Sequence, residues 1–376
     1  MNDAQQLNTI KFGLALKNAG FDFFSGVPCS YLSNLINYAI NNCNYIAAAN
    51  EGEAVAAAAG ATLAGKKGVA LMQNSGLTNA VSPITSLLYV FRVPILGFVS
   101  LRGGISDEPQ HELMGEITTD ILDVMRIQWE FLSTEENEAL NQVARAKTAI
   151  ENKKTFFFVV KKGVFSKEVL INKLLAHNQI VEFVDSQAKD ELPARLSVIE
   201  KISETTSEFP VIAATGYTGR ELYETGDKSN NLYMVGSMGC AGSIGLGIAL
   251  SSNKPTIVLD GDGAVLMHMG SLVVNGYYRP KMLHIVFDNN CYESTGGQSC
   301  TTTNAALPNI AKESGYSCVI HAHTTQELLI GLERWKKNPV LTFLYLKIKP
   351  GTKEALARPS ITPAQVATRL EKFLNP

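Results

Sequence analysis

The sequence predicts an α/β protein of two domains, each built on a doubly wound parallel sheet. A chain of 376 residues is longer than one hydrophobic core usually supports, which favours two domains. Short apolar segments alternate with segments of helical period from residue 1 to about 170, and the same alternation restarts at about 195. Strands that alternate with helices along a chain pair in parallel.

Eleven apolar segments predict the strands, five in the first half and six in the second. In the first half they are "FDFF" (21–24), "YIAAA" (45–49), "GVALMQ" (68–73), "VPILGFVS" (93–100) and "TFFFVVK" (155–161). In the second half they are "FPVIAAT" (209–215), "LYMVGS" (232–237), "PTIVLDG" (255–261), "KMLHIVFDN" (281–289), "YSCVIHA" (316–322) and "VLTFLYLKI" (340–348). The polar, poorly periodic segment 177–194 predicts a linker between domains 1–176 and 195–376.

Composition and charge indicate an ordinary globular protein and exclude several classes of partner. Hydrophobic residues make up 45% and charged residues 18% of the chain, which is typical of a packed core. A net charge of -2 argues against nucleic acid or an anionic membrane as a partner. The six cysteines form no CxxC pair and have no histidine at zinc-ligand spacing, so we expect reduced thiols and a cytoplasmic location. The N-terminus indicates an amphipathic helix, and neither a signal peptide nor a membrane span is predicted.

The segment "VLDGDGAV" (258–265) places Asp262 between two glycines at the end of a predicted strand. Glycines at such a strand end let backbone amides approach a phosphate. A dinucleotide fingerprint fails at Leu266, a Walker loop lacks its Gly-Lys-Ser/Thr, and an EF-hand would require a glutamate where Ser271 stands. What remains is a turn whose carboxylate holds Mg²⁺ or Ca²⁺, with the cation neutralising a diphosphate.

The next predicted strand ends in "FDNNCYES" (287–294), which places Asn289 27 residues after Asp262. That spacing is about the length of one helix plus one strand. Either motif alone is explained as simply by a turn or a loop. Together, neighbouring strand ends can present a carboxylate, an amide oxygen and a backbone carbonyl to one hard cation.

"GDG", a helix and a strand, then "DNN" resemble the signature of the thiamine-diphosphate-dependent enzymes. The resemblance implies an N-terminal pyrimidine-binding domain and a C-terminal diphosphate-binding domain, without a central third domain. It implies Mg²⁺ bound by Asp262, Asn289 and the main-chain carbonyl of Cys291. Many family members have glycine at the position of Cys291, but a backbone ligand tolerates a side chain.

"AAANEGEAVAAAAG" (47–60) is similar to the glutamate motif of the same family. Taken alone, Glu51 and Glu53 in the first turn of a helix are more typical of solvated charges that interact with the helix dipole. The resemblance implies that Glu51 lies near the aminopyrimidine and promotes formation of the cofactor ylid. Glu53 keeps the structural interpretation.

The resemblance also implies contacts to the cofactor. Met238 in "GSMG" matches the apolar side chain beneath the bent cofactor, and the carbonyl of Gly236 would accept a hydrogen bond from its 4′-amino group. The other expected cofactor contacts are Thr215, Gly216, Tyr217, Ser237, Gly261, Gly263, Ala264 and Tyr292.

Several segments resemble the two-domain 2-oxo acid decarboxylases of this family that act on 3-phosphonopyruvate, whose near relatives act on sulfopyruvate. The segments are "SGVPCS" (25–30), "RGGISDEPQHELMGEIT" (102–118), "VVKKGVF" (159–165), "TGYTGREL" (215–222) and "ESTGGQ" (293–298). Sulfopyruvate enzymes often divide the halves between subunits, so one chain favours the phosphonate. The implied reaction yields phosphonoacetaldehyde and CO₂ in the biosynthesis of phosphonates such as 2-aminoethylphosphonate.

Three further groups of residues are candidates for handling the substrate. His111 would move a proton near neutral pH, although a lone loop histidine is more often structural. Glu293 would protonate the decarboxylated product on the cofactor. Ser25, Arg102 and Ser294 would contact the substrate, with Lys162 as a second cation. Asp107 and Glu108 oppose a dianion and would pair with the neighbouring bases.

The family builds each active site from the N-terminal domain of one subunit and the C-terminal domain of another, which implies a homo-oligomer, at least a dimer. Two other functions remain open at this point. One is a carboligase or transketolase-like transferase that uses the same cofactor. The other is a non-catalytic protein descended from such enzymes, against which the presence of Glu51, Asp262 and Asn289 argues.

Overall fold

The computed structural model describes residues 6–104, 107–171, 181–185 and 191–376. The chain divides into two compact units, the first of Met1–Thr62 and Lys66–Leu174 and the second of Leu63–Gly65 and Leu175–Pro376. In the described part of the chain, no helix is long and apolar enough to cross a membrane.

The first unit is built on a parallel sheet, to which the described residues contribute six strands. They are β1 (Phe23–Gly26), β2 (Asn44–Ala47), β3 (Gly68–Gln73), β4 (Leu96–Ser100), β5 (Gln128–Phe131) and β6 (Phe156–Val160). Their order is β2-β1-β3-β4-β6-β5, and every ladder is parallel. All residues of β4 and β6 are buried, because helices cover both faces of such a sheet and strands there are continuous apolar runs.

Helices alternate with these strands along the first unit. They are α1 (Thr9–Asn18), α2 (Ser33–Asn42), α3 (Glu51–Leu63), α4 (Asn74–Pro83), α5 (Tyr89–Phe91), α6 (Glu112–Val124) and α7 (Glu136–Glu151). A π-helical turn over Ile84–Leu88 joins α4 to α5. The ring of Phe12 in α1 packs edge-on against Phe98 at 6.2 Å and against Phe158 at 6.5 Å between centroids. This aromatic contact fixes α1 on the sheet.

The second unit is also built on a parallel sheet, with seven strands among the described residues. They are β7 (Glu182–Asp185), β8 (Val211–Ala213), β9 (Asn231–Tyr233), β10 (Thr256–Gly261), β11 (Met282–Asp288), β14 (Cys318–Ala322) and β15 (Thr342–Lys347). Their order is β7-β14-β15-β11-β10-β8-β9, with parallel ladders throughout. A short antiparallel hairpin of β12 (Cys291–Tyr292) and β13 (Gln298–Ser299) follows β11.

Helices of the second unit connect the strands. They are α8 (Arg195–Glu204), α9 (Tyr217–Glu224), α10 (Ala241–Ser251), α11 (Asp262–Met267), α12 (Gly270–Tyr278), α13 (Leu307–Glu313), α14 (Thr325–Lys337) and α15 (Pro363–Leu374). Glycines let α10 lie close to the sheet, since a Cβ on Gly245 would meet Val258 Cγ2 at 2.5 Å. Reciprocal side-chain hydrogen bonds at Thr324 and Thr362 cap α14 and α15.

The order of the second sheet reverses between β8 and β10. From β8 the chain continues to its neighbour β9, whereas from β10 it continues to β11 on the opposite side. The carboxyl ends of parallel strands open a crevice at such a reversal, where ligands of open α/β sheets bind. The loops after β8, β10 and β11 therefore form the candidate site.

The predicted fold class is confirmed, and all eleven predicted strands are present. Among the described strands, sequence patterns missed the edge strands β5 and β7 and the two-residue strands β12 and β13 of the hairpin. The ends of β5 and all of β7 are exposed, so neither carries the apolar run that identifies a buried strand. Strand β7 lies inside the predicted linker 177–194, which is therefore not linker throughout. Residues 177–180 and 186–190 of that prediction lie outside the described residues.

Candidate active site

Asp262 is the first residue of α11, directly after the carboxyl end of β10. Its side chain is buried, with 3% of the residue exposed. Its Oδ2 accepts a hydrogen bond of 2.8 Å from the Oγ1 of Thr302. Burial raises the pKa of Asp262, and the nearby carboxylate of Asp288 adds to this. A charged group buried in this way is stabilised by a cation.

Asn289 follows the carboxyl end of the neighbouring strand, β11. Gly261 and Phe287 are partners in the β10–β11 ladder, so Asp262 and Asn289 leave adjacent strands at the same edge of the sheet. The Asn289 Oδ1 accepts a hydrogen bond of 3.2 Å from the backbone N–H of Cys291. This geometry is consistent with the prediction from the sequence that the two strand ends lie close together.

One cleft at the sheet reversal contains most of the predicted cofactor and metal residues. Its lining from the sequence predictions consists of Thr215, Gly216, Tyr217, Met238, Gly261, Asp262, Gly263, Ala264, Asn289, Cys291, Tyr292, Glu293 and Ser294. Gly236 and Ser237 lie in the turn that leads to Met238, where Ser237 has a φ of 52°. They are not part of that lining.

The two glycines beside Asp262 differ in what surrounds them. A Cβ on Gly261 would meet only the Phe287 carbonyl oxygen, at 4.0 Å, whereas one on Gly263 would lie 2.5 Å from the Tyr292 ring. The open space expected for a phosphate is therefore present at Gly261. At Gly263 the Tyr292 ring takes up the space that a side chain would need, while Gly263 itself still lines the cleft.

Glu293 belongs to a buried ion-pair network that the sequence did not predict. The guanidinium of Arg195 contacts Glu293 Oε2 at 2.9 Å and donates to Glu221 Oε2 at 2.7 Å. The backbone N–H of Gly351 donates to the other oxygen of Glu293. Burial alone would lower the pKa of Arg195, but the bonds to Glu221 and Glu293 raise it. Glu293 would have to leave these partners before it could transfer a proton to a substrate.

In the first unit, Glu51 begins α3 and is buried, with 8% of the residue exposed. Its Oε2 accepts a hydrogen bond of 2.9 Å from the Nδ2 of Asn79. A Cβ on Gly76 would lie 2.0 Å from Glu51 Oε1, so α4 has a glycine where the carboxylate packs. Glu53 is also buried, and Asn50 donates to it at 3.1 Å. The interpretation of Glu51 and Glu53 as solvated charges that interact with the helix dipole is therefore wrong.

The remaining predicted residues of the first unit lie on or near its carboxyl sheet edge. Ser25 is buried in β1, and His111 is buried at the start of α6. Among the described residues, the Ser25 Oγ and the His111 Nδ1 have no hydrogen-bond partner. Buried polar atoms in native proteins rarely remain unpaired, so both atoms are positions where a ligand or water is expected.

Arg102 lies beside Lys161 and Lys162 in a cleft of about 320 Å³. As the sequence predicts, an acidic neighbour pairs with it: Arg102 donates to both carboxylate oxygens of Asp107, at 2.5 and 3.2 Å. This pairing holds the pKa of Asp107 well below its usual range. Asp107 thus neutralises much of the positive charge of Arg102.

Two family models match this chain, one in each half. The model of the thiamine pyrophosphate enzyme N-terminal TPP binding domain matches residues 12–124, and that of the C-terminal TPP binding domain matches 215–339. The chain belongs to the thiamine pyrophosphate enzymes. Thiamine pyrophosphate and thiamine diphosphate are two names for one compound. It is therefore the cofactor of this chain.

Curated relatives of this thiamine pyrophosphate enzyme are decarboxylases by name. A phosphonopyruvate decarboxylase of Streptomyces viridochromogenes is 37% identical over 96% of this chain and 93% of its own length. A sulfopyruvate decarboxylase of Methanosarcina acetivorans is 27% identical over 96% of each chain. In Methanocaldococcus jannaschii, sulfopyruvate decarboxylase subunits beta and alpha are separate chains that match 39% and 30% of this one.

Solved structures agree on the fold of the thiamine pyrophosphate enzymes. The benzoylformate decarboxylase of Polynucleobacter necessarius superposes with a TM-score of 0.68 at 11% identity, covering 93% of this chain and all of the other. A 4-hydroxybenzoylformate decarboxylase of Rhodococcus jostii gives 0.68 at 11% identity, covering 92% and 99%. At this identity the likeness concerns the fold alone.

The residues at the β10 and β11 ends fit the diphosphate and its metal. Asp262, Asn289 and the carbonyl of Cys291 offer oxygen donors, which suit Mg²⁺. The space at Gly261 stays open on the same side of the turn. Sequence reasoning missed Thr302, which donates to Asp262, and Arg195, which lines the same cleft and pairs with Glu293. Both come from distant parts of the chain, and no motif spacing indicated either of them.

Proposed function

We propose that this thiamine pyrophosphate enzyme decarboxylates 3-phosphonopyruvate to phosphonoacetaldehyde and CO₂, as a step of phosphonate biosynthesis of the 2-aminoethylphosphonate type. The observation that carries the proposal is the placement of Asp262 and Asn289 at neighbouring strand ends, on a chain 37% identical to a phosphonopyruvate decarboxylase. A second such relative, from Streptomyces hygroscopicus, is 35% identical over 95% of the chain.

In this proposal, Asp262, Asn289 and the carbonyl of Cys291 hold Mg²⁺, which binds the cofactor diphosphate. Met238 lies in the same cleft and would support the cofactor from below, with the Gly236 carbonyl as a hydrogen-bond acceptor. When bound, thiamine diphosphate supplies the nucleophilic carbon and accommodates the electron pair left by CO₂. Glu51 would hold a proton at the aminopyrimidine, for which its burial and its bond to Asn79 fix the carboxylate in place.

The substrate groups belong to the same proposal. A phosphonate dianion would be attracted to Lys161 and Lys162 as much as to Arg102, because Asp107 already neutralises the guanidinium. His111 Nδ1 and Ser25 Oγ would bind polar atoms of the substrate or water, since both are buried without a partner in the described part of the chain. Ser294 lines the cofactor cleft and is a further substrate candidate. Glu293 would act once released from Arg195.

Sulfopyruvate is the second candidate substrate, and the Methanosarcina acetivorans relative at 27% identity favours it. The deciding experiment compares kcat/KM for phosphonopyruvate, sulfopyruvate and pyruvate on one preparation with saturating thiamine diphosphate and Mg²⁺. We expect the highest value for phosphonopyruvate. A higher value for sulfopyruvate would change the substrate and keep the reaction. Absence of CO₂ release from all three, or faster turnover of aldehyde acceptors, would contradict the decarboxylase and favour a carboligase.

We further propose that the active enzyme is a homo-oligomer, at least a dimer, in which two copies of the chain complete each active site. Light scattering during gel filtration gives the mass, and activity measured over a dilution series gives its dependence on assembly. A monomer with the same specific activity at every concentration would contradict this. The cytoplasmic location stays a prediction from the sequence.

A further inference from the structure

Three side chains with metal-binding groups meet at the outer edge of the second sheet. His321 lies in β14, and His323, two residues further on, directly follows the last residue of that strand. Side chains two residues apart in a strand lie on the same face, and the two imidazole rings are 4.2 Å apart between centroids. Asp185 of the edge strand β7 is the ladder partner of His321. Pairing of β7 with β14 thus creates the cluster.

The donor atoms are spaced as ligands of one ion. Asp185 Oδ1 lies 3.1 Å from His321 Nδ1 and 3.0 Å from His323 Nε2. All three donor atoms lie within 4.8 Å of one another. With metal–ligand bonds of about 2.0–2.2 Å, neighbouring ligands of a tetrahedral or octahedral ion are about 2.8 to 3.6 Å apart. Both measured distances fall in that range.

We propose that Asp185, His321 and His323 bind a divalent first-row transition-metal ion such as Zn²⁺, Co²⁺ or Ni²⁺. Two imidazoles with one carboxylate suit these ions, whereas Mg²⁺ prefers oxygen ligands alone. The site therefore differs in chemistry from the oxygen donors at Asp262 and Asn289. Asp185 is half exposed, so water can fill the remaining coordination positions.

Two charged groups act on this cluster from neighbouring elements. Lys347 of β15 exerts a positive field at His321, and Glu327 of α14 exerts a negative one. Glu327 Oε2 accepts the backbone N–H of His323 at 2.7 Å, which fixes the position of that residue. Burial is the largest cause that lowers the pKa of His321, with Lys347 acting in the same direction and Glu327 in the opposite one, and a neutral imidazole is the form that binds a metal. The His323 Nε2 and the Asp185 Oδ1 form a hydrogen bond of 3.0 Å, and metal binding displaces its proton.

A bound metal would stabilise the pairing of the exposed edge strand β7 with β14. All four residues of β7 are exposed, and an ion pair between Glu182 and Arg334 also links this strand to α14. A metal bound by Asp185 and the two histidines connects β7 to β14 through side chains. Because it binds only the paired state, it stabilises the pairing by a free energy that grows with the logarithm of the metal concentration once that concentration exceeds the dissociation constant.

The test is a Co²⁺ titration of the full-length protein, purified without a polyhistidine tag and saturated with thiamine diphosphate and Mg²⁺. Calorimetry and the visible absorption of Co²⁺ report stoichiometry and coordination. We expect the wild type to bind one equivalent more than His323→Ala, and Asp185→Asn to bind that equivalent at least about tenfold more weakly. Hydrogen exchange over 182–185 should slow on metal addition in the wild type alone.

Glu182→Gln is the matched control, because it removes a β7 side-chain charge outside the ligand set. It should retain the Co²⁺ equivalent. Identical titrations of the wild type, His323→Ala and Asp185→Asn would overturn the proposal, as would absence of the equivalent from the wild type at millimolar Co²⁺. CO₂ release from the 2-oxo acid is measured separately, so failure of the metal site leaves the proposed decarboxylase untouched.

Discussion

Thr302 donates a hydrogen bond of 2.8 Å to the carboxylate of Asp262, and both side chains are buried. The bond occupies Oδ2 and orients the carboxylate within the cleft. Residues that orient a metal ligand typically contribute roughly 10–100-fold to metal affinity. We therefore expect Thr302→Val to weaken Mg²⁺-dependent binding of thiamine diphosphate by roughly that factor, and Asp262→Asn to weaken it further. Fluorescence titration with the cofactor at fixed Mg²⁺ measures both.

Thr301→Val is the control for this pair, since Thr301 is exposed in the same helical turn. It should leave the cofactor dissociation constant unchanged. Unaltered cofactor binding in Asp262→Asn would remove the metal assignment.

Glu51→Gln preserves the shape of the buried side chain and removes its acid. We expect kcat for CO₂ release to fall roughly 10²–10⁴-fold, the usual contribution of a positioned acid or base. The cofactor dissociation constant should change little, because the diphosphate and its metal are held elsewhere. Glu53→Gln, two residues on and also buried, serves as control and should keep most of the activity. Full activity of Glu51→Gln would exclude the proposed proton role.

Gly76→Ala tests whether the position of the Glu51 carboxylate matters. The added Cβ would lie 2.0 Å from Glu51 Oε1 and 2.1 Å from its Cδ, so the carboxylate has to move. We expect kcat to fall while the cofactor still binds, with alanine otherwise favouring the helix. Ser75→Ala, an exposed position of the same helix α4, should remain active. Activity of Gly76→Ala equal to wild type would show that Glu51 tolerates displacement.

The sequence predicted the strands and the strand-end motifs for the same physical reason. Strands buried on both faces are continuous apolar runs, and the two motifs stand at the ends of such runs. The interval between Asp262 and Asn289 contains two short helices, α11 and α12, and strand β11, where the sequence predicted one helix and one strand. Edge strands β5 and β7 lack that burial, so their sequences contain no continuous apolar run by which they could be predicted. Thr302 and Arg195 reach the site through side-chain packing between distant segments, which no local pattern encodes. The ring of Tyr292 against Gly263 is a further contact of this kind.

Arg195 has a structural role that can be separated from catalysis. It pairs with Glu221, whose side chain is 0% exposed, and with Glu293. Replacing Arg195 by methionine leaves Glu221 buried with only Thr352 Oγ1, at 2.7 Å, as a remaining side-chain donor in the described residues. Breaking a buried ion pair by removing one partner costs about 3–5 kcal/mol. We expect Arg195→Met to lower the free energy of unfolding by about that amount, measured by urea denaturation followed by circular dichroism.

The double variant Arg195→Met/Glu221→Leu should recover much of the loss, because no buried charge stays unpaired at that position. Equal stability of Arg195→Met and the wild type would mean that the network contributes nothing to the free energy of unfolding.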